Sequence, residues 1–250
     1  MLVIFPVYDR IKLLPYFLRY YESIGATHFV CALFDGKRNP LYPKISAFQR
    51  KYKLDVRISV DSRVSEYNPL AEKIGLNIIR KEFSKKFRWY CIADLDEFHY
   101  FGGGTLHDIV QKAEKLKFRA VGGVFVDRIA ADGFFPAIHG SLDKTFPLGC
   151  DLTHCCESNN RKISLARSTV QIEFGHHEAK CKVAWGGSET HHFKWHNSVR
   201  KAIAHRYKLY SKQNISWAAT KLPAQLGIIN RGVNLTFPGL HVRKASILGV

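Results

Sequence analysis

Tyr90-Cys91-Ile92-Ala93-Asp94-Leu95-Asp96-Glu97-Phe98 is the stretch from which the rest of the chain takes its meaning. An apolar run long enough for one buried strand, entered at Arg88-Trp89, stops on three carboxylates within four residues. Such runs suit the inner strands of a parallel sheet, which are covered on both faces. The acids then stand at a strand's carboxyl end, the edge where open α/β sheets bind ligands. Asp94 and Asp96 suit a hard divalent cation that also takes oxygens from a phosphate. An isolated Asp-x-Asp more often shapes a turn or caps a helix, so its weight comes from context.

Upstream, strand and helix alternate. Leu2 to Val7 reads as a strand, and Leu14, Phe17, Leu18, Tyr21 and Ile24 keep helical spacing behind Pro15, with Gly25 as the stop. Thr27 to Phe34 is the next strand. Leu41, Ile45, Phe48 and Tyr52 mark a second helical stretch, and Leu54 to Val60 alternates as a third strand. Asn68-Pro69 caps and opens a third helix whose apolar face is read as Ala71, Ile74 and Ile78, leading into the Arg88 to Ala93 strand. The order β-α-β-α-β-α-β argues for a mostly parallel, Rossmann-type sheet flanked by helices. Its four strands end at Asp9, Asp35, Asp61 and Asp94. One such acid is ordinary turn chemistry, whereas four on one edge suggest a site for a cofactor or substrate.

Farther on, Thr105-Leu106-His107-Asp108 has the form of a capping box, its helix facing inward with Leu106, Ile109, Val110 and Ala113, and Ala120 to Val126 is another strand. From Asp127 the alternation fades into an irregular segment. The tail shows one clear helix, capped by Asn197 or Ser198, with Val199, Ala202, Ile203, Tyr207 and Tyr210 inward and Lys201, His205, Lys208 and Lys212 outward. The expected organisation is a single domain over 1–250, with a nucleotide-binding half at 1–126 and an acceptor-facing half with a basic tail at 127–250.

The 250 residues, 46% hydrophobic and 24% charged, have the usage of a globular chain and argue against disorder. The opening residues lack the basic front and cleavage site of a signal peptide, and no apolar stretch has spanning length, so the expectation is a soluble cytoplasmic protein. Six cysteines without an export signal argue against a disulfide framework. Cys150, His154, Cys155, Cys156, His176, His177 and Cys181 offer zinc-type ligands but lack a clean C-x-x-C pair. Of the net charge of +17, ten positive charges follow Glu189, the last acid in the chain. A tail so one-sided attracts anions, among them a nucleotide diphosphate, an acidic glycan, a lipid surface or nucleic acid. His176-His177 and His191-His192 each offer an imidazole to complete a cation site, and His177 and His192 are the candidates carried forward.

Phe5-Pro6-Val7-Tyr8-Asp9, the run from Leu14 to Phe29, and Trp89 followed by Asp94-Leu95-Asp96-Glu97-Phe98 resemble family-2-type glycosyltransferases of the GT-A fold. The resemblance covers about the first 130 residues. Later it rests on Asp127-Arg128, Asp132-Gly133, Gly175-His176-His177 and His192-Phe193-Lys194-Trp195. It implies a nucleoside diphosphate sugar as donor, Mn²⁺ or Mg²⁺ on Asp94 and Asp96 with His177 or His192 as a further ligand, and Asp9 and Asp35 near the nucleoside. Tyr8-Asp9 stands where the family usually carries Asn-Glu, and Asp35-Gly36-Lys37 lacks its Ser-x-Asp continuation. The acceptor implied is a glycan or lipid-linked sugar at the cytoplasmic membrane face, with the basic tail in contact with anionic lipid.

An inverting transfer needs a carboxylate base, for which Asp127, Asp132, Asp151, Glu157 and Glu173 qualify by type. Asp132 is preferred because it precedes a glycine in the loop after a sheet strand. The competing readings are a non-catalytic polyanion-binding protein and a nucleotidyltransferase using the same metal. The first is weakened because no nucleic-acid module with interleaved aromatics is present, so no nucleic-acid partner is expected.

Overall fold

A computed structural model describes residues 1–7, 11–33, 39–58, 69–156, 158–236 and 240–247. The chain runs through β1 (Leu2–Val7), α1 (Leu14–Ser23), β2 (His28–Leu33), α2 (Tyr42–Ser46), α3 (Gln49–Tyr52), β3 (Leu54–Ile58), α4 (Pro69–Phe83), β4 (Trp89–Ile92) and β5 (Glu97–Tyr100). It continues through α5 (Leu106–Lys115), β6 (Ala120–Ile129), α6 (Leu142–Thr145), β7 (Leu148–Cys150), β8 (Arg161–Arg167), β9 (Val183–His192), α7 (Val199–Lys212), α8 (Ala218–Arg231) and β10 (Arg243–Lys244). Two compact units share these elements: Met1–Val124 with Arg161–Thr190, and Phe125–Asn160 with His191–Val250. The return of residues 161–190 to the first unit is not announced by the sequence.

The first unit is a mixed α/β layer structure. β3, β2, β1 and β4 lie side by side and parallel, as the alternation of strand and helix requires. β8 is antiparallel to β4 and to the first half of β6. Strand residues alternate between two buried faces. Leu2, Ile4, Val30, Ala32, Tyr90 and Ile92 share a core with Leu76, Ile79 and Phe83 of α4. On α1, the Phe17 ring packs tilted against Phe5 at 4.9 Å and edge-on against Phe98 at 6.0 Å. A fully buried phenylalanine such as Phe17 contributes on the order of 1.5–3 kcal/mol by leaving water.

Two details differ from the sequence reading. α4 buries Leu76, Ile79 and Phe83, while Ile74 and Ile78 are about half exposed. The helix carries two apolar stripes, and the sheet takes the one with the larger side chains. The stretch after Asp127 is more regular than expected, because β8 and β9 are full strands. Their buried Lys162, Ser164, Thr190 and His191 hid the apolar pattern. Gly123 of β6 admits the backbone of β9 so closely that an added Cβ would lie 1.6 Å from the Ser188 carbonyl oxygen. The capping box at Thr105 and Asp108 forms as read, each side chain bonding the other's backbone N–H.

In the second unit, the end of β6 pairs with β7, and β7 with β10, all antiparallel. α7 begins after Ser198 and exposes Lys201, His205, Lys208 and Lys212, as its spacing predicts. Leu209, not Tyr207, completes its buried face. α8 was hidden by Pro223, a residue that breaks the i to i−4 ladder yet lies inside this helix. No helix among the described residues is long and apolar enough to cross a membrane.

Candidate functional site

The chain builds β1, β2 and β3 outward in one direction and then returns to lay β4 on the other side of β1. In open α/β sheets such a reversal leaves a crevice outside the carboxyl ends of the two flanking strands. Asp94 stands there, two residues beyond the end of β4. The turn that carries it is tightly held. Glu97 N donates to the Asp94 carbonyl at 2.9 Å, and Asp94 N donates to Glu97 Oε2 at 3.1 Å. From α1, the Tyr21 hydroxyl donates to the Glu97 carbonyl and accepts from His99 N, both at 3.1 Å. His99 itself bridges Ile92 O at 2.8 Å and Thr190 Oγ1 at 2.9 Å. Burial lowers its pKa to about 4, so it is a neutral linker.

Two other elements bring ligating atoms to Asp94. Glu72 comes from the first turn of α4, where the helix dipole favours a carboxylate. His176 comes from the 3-10 turn Phe174–His176. Among the described residues, Glu72, Asp94 and His176 form a group whose ligand atoms all lie within 4.8 Å of one another. Glu72 and His176 are buried, and the Asp94 side chain is 39% exposed, which gives the group an open side. Burial, and then the nearby positive Lys162, lower the His176 pKa to about 3 and leave the imidazole neutral, the form that ligates a metal.

The backbone is bent to present that imidazole. His176 has φ +59 and follows Gly175 at φ +64, both left-handed. A non-glycine residue there is uncommon, although histidine is enriched among the exceptions. A Cβ on Gly175 would lie 2.8 Å from the His177 ring, so this position requires glycine. α4 pins the loop through Lys73 to Glu173, Arg80 to the Ser168 carbonyl, and Asn77 to the Ile172 carbonyl at 3.4 Å. A shallow cleft opens beside Glu72 and His176 over Leu76, Tyr90, Ile92 and Ile172.

Lys162 of β8 faces the acids from the sheet. Its ammonium is 2.7 Å from Glu97 Oε1 and 3.8 Å from Asp94 Oδ2. Burial alone would lower its pKa, but Glu97 and Asp94 outweigh burial and raise it, so the buried lysine is charged.

The residues singled out in the sequence are distributed unevenly. Asp94 is at the centre of the group. Asp96 is 1% exposed and lies outside it. His177 donates from Nδ1 to the Arg161 carbonyl at 2.6 Å, and its neighbour His176 stands in the group instead. His192 belongs to the second unit, where its Nδ1 donates to Asp127 Oδ1 at 3.0 Å. Asp127 also accepts from Trp195 Nε1 at 2.8 Å and Leu152 N at 3.1 Å. Burial pushes the Asp127 carboxyl up, but the bonds from His192 and Trp195 outweigh it and hold the pKa below the usual range.

Asp132 is exposed and accepts from Phe134 N at 2.9 Å, which makes it the organiser of its own turn. Asp151 does the same for Thr153, and Glu173 is paired with Lys73. Asp9, Asp35, Asp61 and Glu157 lie outside the described residues. The six cysteines are free thiols. Burial pushes Cys156 up to about 12 and raises Cys150 further, so neither offers a ready thiolate.

Glu72 and Lys162 were missed, and His176, named together with His177 as a possible imidazole ligand, was passed over for its neighbour. Each sits inside a segment whose local pattern has its own explanation: a helix's first turn, a strand, and a glycine-histidine loop. The sequence signals were the His176-His177 pair and a lysine in a mostly apolar run, Lys162-Ile163-Ser164-Leu165-Ala166.

No protein-family model matches the chain, and no curated protein does. Among solved structures, the chain is similar to HddC from Yersinia pseudotuberculosis at 10% identity and a TM-score of 0.33, over 67% of this chain and 73% of that one. HddC from the same organism complexed with GMP-PN gives 10% identity and a TM-score of 0.38, over 76% and 92%. At such TM-scores the likeness bears on neither fold nor function.

Proposed function

We propose that this chain is a metal-dependent glycosyltransferase of GT-A architecture that takes its sugar from a nucleoside diphosphate donor. The observation that carries the reading is the meeting of Glu72, Asp94 and His176 at the carboxyl end of β4, beside the strand-order reversal. The donor set fits a divalent cation. Two carboxylates supply hard anionic oxygens, and a neutral imidazole shifts the preference from Mg²⁺, which favours oxygen, toward Mn²⁺. A cation held there would supply Lewis-acid charge that offsets the charge developing on the leaving diphosphate.

The chain's own residues have separate tasks in this reading. Asp94, with its open side, would be the ligand within reach of substrate, and Glu72 and His176 would be the buried ligands. The Asp94–Glu97 turn keeps that carboxylate aimed, since preorganised groups act without rearranging during the reaction. The acceptor is a glycan or lipid-linked sugar. The acid-free basic stretch after Glu189 supports a peripheral approach to an anionic membrane surface.

The test is incubation with a panel of nucleotide sugars and Mn²⁺, followed by product analysis. Released nucleoside diphosphate marks sugar transfer, and released sugar 1-phosphate marks nucleotidyl transfer. Metal-independent turnover, or undiminished turnover in Asp94→Asn, would refute the proposal.

A further inference from the structure

Glu97 and Lys162 are each 2% exposed and lie 2.7 Å apart, a buried ion pair at the heart of the first unit. Stability is a poor reason for such a pair, because two apolar side chains of similar volume commonly serve as well or better. Its placement gives a better reason. Glu97 uses one carboxylate oxygen for Lys162 and the other for the backbone N–H of Asp94. Lys162 sits 3.8 Å from the Asp94 carboxylate. The pair therefore touches the ligating aspartate from both its backbone and its side chain. Tyr21 on α1 fixes the backbone at Glu97, so neither carboxylate oxygen drifts.

We infer that Glu97 and Lys162 are a positioning pair for the cation site. Glu97 aims Asp94 and neutralises Lys162, and Lys162 keeps the acidic group from holding the cation too tightly for exchange. This rests on the proposed metal site. It assigns a role to the third acid of Asp94-Leu95-Asp96-Glu97 that is distinct from ligation. The two residues then have opposite effects on affinity. Without the Glu97 charge, the ammonium turns wholly on Asp94 and competes with the incoming cation. Without the ammonium, Glu97 adds its charge to the group and the cation binds more tightly.

The experiment is Mn²⁺ titration of the full chain followed by electron paramagnetic resonance, with circular dichroism as the check on folding. Glu97→Gln is expected to weaken Mn²⁺ binding about tenfold or more, the size seen when partners of metal ligands are removed. Lys162→Met is expected to tighten it by about threefold or more, and the double variant, which buries no unpaired charge, to return within about threefold of native. A purely structural pair would weaken binding in both single variants or in neither, and either result overturns the inference. So does a double variant as weak as Glu97→Gln. If Glu97→Gln does not fold, the sign of the Lys162→Met shift decides. A native chain that binds no Mn²⁺ sinks the metal site itself, whereas native binding with unmoved variants sinks only this pair.

Discussion

Asp94 in the first unit and Asp127 in the second are both aspartates at the end of an apolar strand segment, and their surroundings give them different work. Asp127 is 4% exposed and takes hydrogen bonds from Leu152, His192 and Trp195, which use both its oxygens. Asp94 has a side chain 39% exposed, with Glu72, His176 and Lys162 around it. A buried carboxylate whose lone pairs face protein donors ties its neighbours together. One that faces other ligands across an open side is placed to hold something from outside. Residue type and strand position do not separate the two; the identity of the facing groups does.

Substitution at both sites is the direct way to break this contrast. Asp127→Ala strips an acceptor from three buried donors and is expected to cost about 3–5 kcal/mol, read from urea unfolding. Asp94→Asn is expected to stay within about 1 kcal/mol of native in the same assay. Its loss lies in Mn²⁺ affinity, expected to fall about 100-fold, or about 2.8 kcal/mol. If the aspartates exchange these phenotypes, the contrast is wrong.

Smaller effects sharpen the picture. Gly175→Ala puts a Cβ into a left-handed residue and against the His177 ring, and should destabilise by about 1–2 kcal/mol while weakening Mn²⁺ binding. His99, whose pKa burial lowers to about 4 from the ordinary 6.5, adds an acid sensitivity to the first unit. The unfolded chain takes up that proton near 6.5 and the folded chain resists it, so stability should fall as pH drops below 6.5 toward 4. Urea midpoints at closely spaced pH values check this, and His99→Gln should reduce the slope between pH 6.5 and about 5, above the carboxylate range, leaving the part that His176 contributes. Least of all, Asp132→Ala removes one exposed turn bond and should shift stability by no more than about 0.5 kcal/mol.

Much of the fold was legible because its signals are local. The period of α1, the capping box at Thr105 and the apolar run ending at Asp94 all use neighbours in sequence to satisfy backbone groups or form one face. Even there, the local pattern left the inward face of α4 open, since Ile74 and Leu76 both belong to plausible stripes. The site was legible only at Asp94. Reading imidazoles by type gave His177 and His192. The choice of His176 depends on two successive left-handed residues and on α4 pinning the loop, neither of which composition reveals.

The sequence by itself determined that parallel strands alternate with helices in the first part, that an acidic turn closes β4, and that no acid balances the basic tail. These follow from side-chain period, capping and charge, properties of residues close together in the chain. Only the tertiary structure decided that Glu72, Lys162 and His176 gather at Asp94, while Asp96 and Asp132 do not. The physical reason is that a polar group's role depends on what it meets once water is excluded, and those partners come from distant helices, strands and loops.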